Sequence, residues 1–225
     1  MCGRFTLGNP KKVQRRFNTA NKTPLFEPSY NVAPSQTLPV ITRNSPNRIV
    51  MMRWGFTWSK DAKNGTINIR KETTKEKKYF QRILLTQRCI IPADGFYEWR
   101  TVNLEGKDEK YPFYIYLKNR PLFGFAGLYN KLIDAGGSPL YTFAILTCPP
   151  NSVVKEVHNR MPAILEEKDE DSWLDTENKD LQRLQKIIKP YPSESMKLHP
   201  VSKRVNSPRN DDEKLTERFE EAKLF

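Results

Sequence analysis

Three observations predict an α+β chain folded as one domain. Short runs rich in β-branched and aromatic residues recur along nearly its whole length, helical patterns between them are few, and no flexible linker divides the sequence. A doubly wound sheet would need strands and helices to alternate regularly, which they do not. The elements follow in order. Asn9 before Pro10 reads as an N-cap and a first helical position, with Val13 and Phe17 on one face. Pro24, Pro28, Pro34 and Pro39 hold residues 24–39 extended and rich in turns. Strands are expected at 38–42, 49–54, 66–70, 89–93, 96–100, 112–117, 122–128, 141–147 and 196–201. Helices are expected at 74–85, 152–158 and 178–189, the last with Leu181, Leu184, Ile187 and Ile188 in one stripe. Residues 211–223 read as a charged terminal helix, so the domain is expected to span 1–206, with a charged helix or tail over 207–225.

Charge narrows the function. The 225 residues carry a formal net charge of +12, unevenly distributed. Residues 1–165 hold 26 basic and 11 acidic residues, whereas 166–180 hold 2 basic and 8 acidic. A basic body fits a polyanion such as nucleic acid, and equally a basic protein with no such partner. The acidic stretch, with Trp173 and Leu174, reads as an exposed helix with one buried edge. No apolar run approaches the roughly 20 residues that span a bilayer, and the N-terminus has no apolar core of a signal peptide. Cys2, Cys89 and Cys148 are odd in number and far apart, which argues against a disulfide framework. A reducing compartment is expected: cytoplasmic and nucleoid-associated, or nuclear in a eukaryote. No P-loop and no closely spaced Cys or His pairs occur, so no metal or cofactor is expected.

The chain opens Met1-Cys2-Gly3-Arg4-Phe5. A small second residue favours removal of the initiator methionine, leaving Cys2 with a free α-amine beside its thiol. The amine titrates near 7.7–8.0 and the thiol near 8.5, so both are partly nucleophilic at neutral pH. Such a 1,2-aminothiol attacks an aldehyde twice, first through nitrogen and then through sulfur, closing a thiazolidine ring. The thiolate alone attacks amides, as in N-terminal nucleophile hydrolases. Position 2 by itself favours an accidental cysteine.

That opening is one of several motifs standing in order. The others are Tyr30-Asn31-Val32-Ala33-Pro34, Met52-Arg53-Trp54-Gly55-Phe56, Ile67-Asn68-Ile69-Arg70-Lys71-Glu72-Thr73, the run from Arg88 through Ala93-Asp94-Gly95-Phe96-Tyr97-Glu98-Trp99, Phe125-Ala126-Gly127-Leu128-Tyr129, Thr147, His158-Asn159-Arg160-Met161-Pro162, and His199-Pro200-Val201-Ser202 before Val205-Asn206. Together, over residues 2–206, they resemble the SRAP family, the SOS response-associated peptidase-like proteins. One departure is Ile69, where the family has Ala; its side chain alternates away from Asn68 and Arg70, so a packing change is expected. The resemblance implies curved, mostly antiparallel β-sheets with flanking helices around a basic cleft. It also implies recognition of abasic sites in single-stranded DNA, with covalent attachment of the N-terminal cysteine to the sugar aldehyde. A monomer with no membrane association is expected.

On that resemblance Cys2 is the nucleophile, Asn68 positions the sugar and the N-terminus, Glu98 is the general acid, and His158 moves protons. Aromatic neighbours Tyr97 and Trp99 would desolvate Glu98 and raise its pKa; an exposed strand glutamate paired with lysine is the alternative. Gly3, Arg4, Arg70 and Arg160 are candidate DNA contacts, and Trp54, Gly55 and Phe56 a candidate wedge stacking on a base, with core packing equally open for Trp54. Glu72 is expected to orient Arg70. His199, Cys89 and Cys148 are expected to be structural. The same residues also allow a cysteine peptidase, acting at its own Met1 or in trans, an abasic-site lyase, or a non-covalent reader of single-stranded or modified DNA.

Overall fold

The β-branched and aromatic runs become two sheets in the computed structural model, which describes residues 2–22, 26–43, 47–59, 65–104, 106–133, 136–175 and 177–219. Met1, the start of the proline-rich segment with Pro24, and the end of the expected tail helix lie outside these residues. In chain order the strands are β1 (Arg4–Leu7), β2 (Ser29–Val32), β3 (Thr37–Arg43), β4 (Asn47–Trp54), β5 (Asn68–Arg70), β6 (Arg88–Ala93), β7 (Gly95–Leu104), β8 (Lys107–Leu117), β9 (Phe123–Ile133), β10 (Pro139–Cys148), β11 (Met161–Pro162) and β12 (Met196–Pro200). The helices are α1 (Val13–Arg16), α2 (Lys71–Glu76), α3 (Lys78–Thr86), α4 (Ser152–Lys155), α5 (Glu167–Leu174) and α6 (Leu181–Ile187). The α+β expectation holds, and the sheets are mostly antiparallel.

The first sheet runs β12-β8-β7-β1-β2 and is wholly antiparallel. The second runs β11-β10-β4-β3-β6-β9, and β9 also pairs β10, so its strands close into a small barrel-like sheet. Its two parallel pairings set β4 and β5 against β10. The hydrophobic core lies between the sheets. Phe5 of β1 packs against Trp54 at 5.1 Å and Phe125 at 5.7 Å, and Trp54 stacks on Phe143. Burial of these rings anchors β1, and with it the residue three positions earlier, Cys2.

Local chemistry moved three helix boundaries. The expected helix at 74–85 starts earlier and is two helices, broken at Lys77, whose backbone is extended. The helix expected at 178–189 starts at Leu181 because Asp180 caps it, its carboxylate accepting from the Gln182 and Arg183 amides at 2.9 and 3.0 Å. The tail is also corrected. Residues 207–219 form a strap across the first sheet with only a short 3-10 turn, Glu213–Thr216, and Leu215 is fully buried. Asn31 fastens the strap, its amide donating to the carbonyls of Val205, Ser207 and Asn210. None of the described helices is long and apolar enough to cross a membrane.

Candidate active site

β1 and β7 lie side by side, with Arg4 opposite Tyr97 and Phe5 opposite Phe96. This register brings the N-terminus beside Glu98. Cys2 is fully buried in the chain that carries Met1, and its thiol lies 3.7 Å from the Arg4 carbonyl. Burial pushes the Cys2 thiol well above its usual range, and the negative charge of Glu98 pushes the same way. Asn68, on β5, donates from Nδ2 to the Cys2 carbonyl at 2.8 Å. Its Oδ1 is buried with no hydrogen-bond partner among the described residues.

Glu98 is 2% exposed. Burial lifts its carboxyl from 4.5 to about 7, opposed by the positive charge of the chain's N-terminus. His158 follows α4, whose first turn is capped by Asn151, the side chain accepting from the Val154 amide at 2.9 Å. His158 Nδ1 lies 3.0 Å from the Arg160 amide and 3.2 Å from the Arg160 carbonyl, which holds the ring in place. Burial, aided by the N-terminal charge, lowers the His158 pKa below its ordinary value. Glu98 and His158 line one cleft of about 560 Å³ together with Arg4, Trp99, Thr101, Lys110 and Asn206.

The arginines divide. Arg4 lines the cleft, and its Nη1 donates to the Val205 carbonyl at 2.9 Å and to Asn31 at 3.3 Å. Arg70 ends β5 with an exposed side chain. Arg160 forms a two-pronged pair with Glu72, both bonds 2.9 Å, and donates to the Thr147 carbonyl at 2.7 Å. Glu72 therefore braces Arg160 rather than Arg70. The chain leaves the strand at Arg70 and turns into α2, taking Glu72 off the face it was expected to share. Gly3 is half-buried just before β1.

The wedge expectation is corrected. Trp54 and Phe56 are 0% exposed, and the Trp54 indole donates to the Ile67 carbonyl at 3.0 Å. Gly55 is buried too, at φ +137°, a region that favours glycine, with Gly65 packed on its backbone. Hydrophobic burial of these rings overrode exposure to a base. The outward ring is Trp58, 52% exposed and in contact with Phe56, Tyr79 and Phe80. The sequence reading also missed Trp99, Lys110 and Asn206 as cleft walls. Trp99 had a signal, its place beside Glu98, and its indole donates to Asn206 Oδ1 at 2.8 Å. Lys110 had none, since only the hairpin register sets it opposite Thr101. His199 is structural, its Nε2 bonded to the Thr216 carbonyl at 2.8 Å, and Cys89 and Cys148 are buried. No described group of three His, Cys, Asp or Glu side chains is placed to hold a metal ion.

Comparison with known proteins places this geometry. The family model "SOS response associated peptidase (SRAP)" matches residues 1–208. The chain is 44% identical to the abasic site processing protein YoqW of Bacillus subtilis, with 96% of this chain and 99% of that protein covered. It is 29% identical to the abasic site processing protein HMCES of Mus musculus, with 94% of this chain and 74% of that protein covered. A crystal structure of a protein from Bacteroides thetaiotaomicron superposes with a TM-score of 0.84 at 27% identity, covering 97% of this chain and all of that one.

Proposed function

Because the chain belongs to the SOS response associated peptidase (SRAP) family, we propose that it processes abasic sites in DNA, the activity for which its relatives YoqW and HMCES are named. We further propose that it acts on single-stranded DNA, by covalent attachment through Cys2 once Met1 is removed. The observation that carries this reading is a cleft lined by Glu98 and His158, with Cys2 buried beside Glu98 and its carbonyl held by Asn68.

The chemistry balances with these residues alone. An abasic sugar opens to its aldehyde as Glu98, whose carboxyl titrates near 7 and is therefore part-protonated at neutral pH, protonates the ring oxygen and takes back the proton of the anomeric hydroxyl. The Cys2 amine adds to the carbonyl carbon. The adduct loses water, the departing hydroxyl taking a proton from Glu98 and the nitrogen returning one to it, and an imine remains. The thiol then adds across the C=N bond, sulfur to carbon and proton to nitrogen, closing the thiazolidine. One water is released overall. Asn68 holds the Cys2 carbonyl, and its unpartnered Oδ1 is an acceptor for the amine that Met1 removal creates. His158, its ring held by the Arg160 backbone and its pKa lowered by burial, moves protons at the sugar oxygens. Arg4 and Arg70 meet flanking phosphates, and Arg160 braces the turn carrying His158.

A cysteine peptidase needs a thiolate, and burial keeps the Cys2 thiol protonated, which favours the route in which the amine attacks first. If the ring does not close, the imine supports β-elimination and strand scission.

Intact-mass measurement of the protein, alone and with an oligonucleotide carrying one abasic site, tests the proposal. The expected result is loss of Met1 and a heat-stable adduct mapping to Cys2, absent in Cys2→Ala. A processed Cys2 terminus that forms no adduct, or an unchanged stable adduct in Cys2→Ala, overturns it.

A further inference from the structure

β7 has a strand on both sides for only part of its length. β1 pairs with it from Gly95 to Tyr97, whereas the ladder to β8 continues out to Leu104. From Glu98 outward, among the described residues, one edge of β7 is left without a strand. That edge starts where the chain carrying Cys2 comes in. Side chains from both faces of a strand reach around such an edge, and Glu98, Trp99, Arg100 and Thr101 all line concave surface there.

The cleft lined by Glu98 does not end at His158. A second concavity of about 690 Å³ continues from it, with Trp99, Thr101 and His158 as common walls. Arg100 and the Pro150–Asn159 segment around α4, with Lys155 and Glu156, complete it. Arg100 and Lys155 differ from the arginines nearer Cys2. Arg4 is tied to Asn31 and Val205, and Arg160 to Glu72. The Arg100 and Lys155 side chains hold no hydrogen bond or ion pair among the described residues, so two cations stand over this lobe against the single carboxylate of Glu156. A grooved surface with unengaged cations is how proteins track a single-strand backbone.

We propose that this lobe is a phosphate subsite for the single strand flanking the abasic nucleotide, with Arg100 and Lys155 each taking one phosphate. The strand leaves Cys2 along the open edge of β7. This rests on the reading of the preceding subsection and adds to it the course of one flank and the residues that hold it.

The test measures binding of a short thymine oligonucleotide without lesions by fluorescence anisotropy across a salt series. Lys155 is exposed and Arg100 half-buried, and thermal unfolding verifies that the variants fold. Removing two phosphate contacts in the double variant Arg100→Gln, Lys155→Gln is expected to flatten the slope of log K against log salt by about 1.4, at about 0.7 per phosphate on a single strand. Glu156→Gln is expected to tighten binding at low salt. Lys197→Gln, on the far edge of the same sheet, is expected to leave the slope unchanged. A double variant with the wild-type slope, or one matched by Lys197→Gln, overturns the subsite. If wild type also forms its abasic-site adduct, that failure touches the subsite alone. A wild-type chain that binds no single strand overturns both readings.

Discussion

Two buried glutamates separate structural from chemical charge in this molecule. Glu170, on α5, is 9% exposed, and Arg16 grips it at 3.0 and 2.8 Å while Arg120 pairs with the same carboxylate. Glu98, 2% exposed, faces the charge of the chain's own N-terminus. Burial raises both carboxyls, but the two guanidinium groups pull Glu170 back, whereas Glu98 rises to about 7. A carboxylate clamped by arginines fastens α5 to α1 and to the turn before β9. One left to titrate near neutrality loses stability to gain a transferable proton.

The widest break in this comparison is Glu170→Ala. It leaves Arg16 and Arg120, with side chains 21% and 12% exposed, without their main counter-charge. The expected loss is about 3 kcal/mol of unfolding free energy, read by denaturant titration, with adduct formation by the folded fraction unchanged. A stability loss of similar size from Glu98→Gln would erase the distinction.

Glu98→Gln should act the other way. Adduct formation is expected to slow by about 10²-fold, as for a lost general acid. Wild-type rate should fall at low pH as the Cys2 amine is protonated, and at high pH as Glu98 loses its proton above about 7. The variant should lose the high-pH limb only. Stability gives a second reading. The folded carboxyl keeps its proton up to about 7 against 4.5 ordinarily. Wild type is therefore destabilised as pH rises through that window, by up to about 3 kcal/mol at 1.36 kcal/mol per pH unit. Glu98→Gln should unfold at higher temperature than wild type above neutrality and at the same temperature near pH 4. A variant whose advantage does not depend on pH would show that Glu98 does not titrate there.

The smallest effect sharpens the chemical side. Asn68→Ala removes the donor to the Cys2 carbonyl, with an expected loss of about 1 kcal/mol, and slows adduct formation while keeping both limbs of the pH profile. A shifted limb would mean that Asn68 tunes Glu98 rather than positioning Cys2.

How far the sequence reached depends on the range of each interaction. The strand from Cys89 to Ala93 was legible because it is apolar on both faces, as a strand covered on both sides must be. Cys2 became a candidate only through the ordered motifs around it, since position 2 alone favours an accidental cysteine. The raised Glu98 was legible through its neighbours Tyr97 and Trp99. Trp54 was not, because the same aromatic serves a core or a surface, and packing against Phe5 and Phe143 settles which. Glu72 was assigned to Arg70 on strand spacing, and a turn into α2 two residues earlier gave it to Arg160 instead. The tail was read as a charged helix because Leu215 is one apolar residue among charges, and only its fit under the strap shows why it is there.

By itself, then, the sequence determined the α+β class, the basic body and, through its ordered motifs, the family, and it nominated Cys2, Glu98 and His158 for the roles proposed above. These follow from residue types and spacings that are local and survive any packing. The tertiary structure decided which arginines are engaged, that the strap belongs to the fold, and that β1 stops short along β7 so that a groove opens beside Cys2. Those outcomes depend on contacts between residues far apart in the chain, where register and burial, not composition, choose the partner.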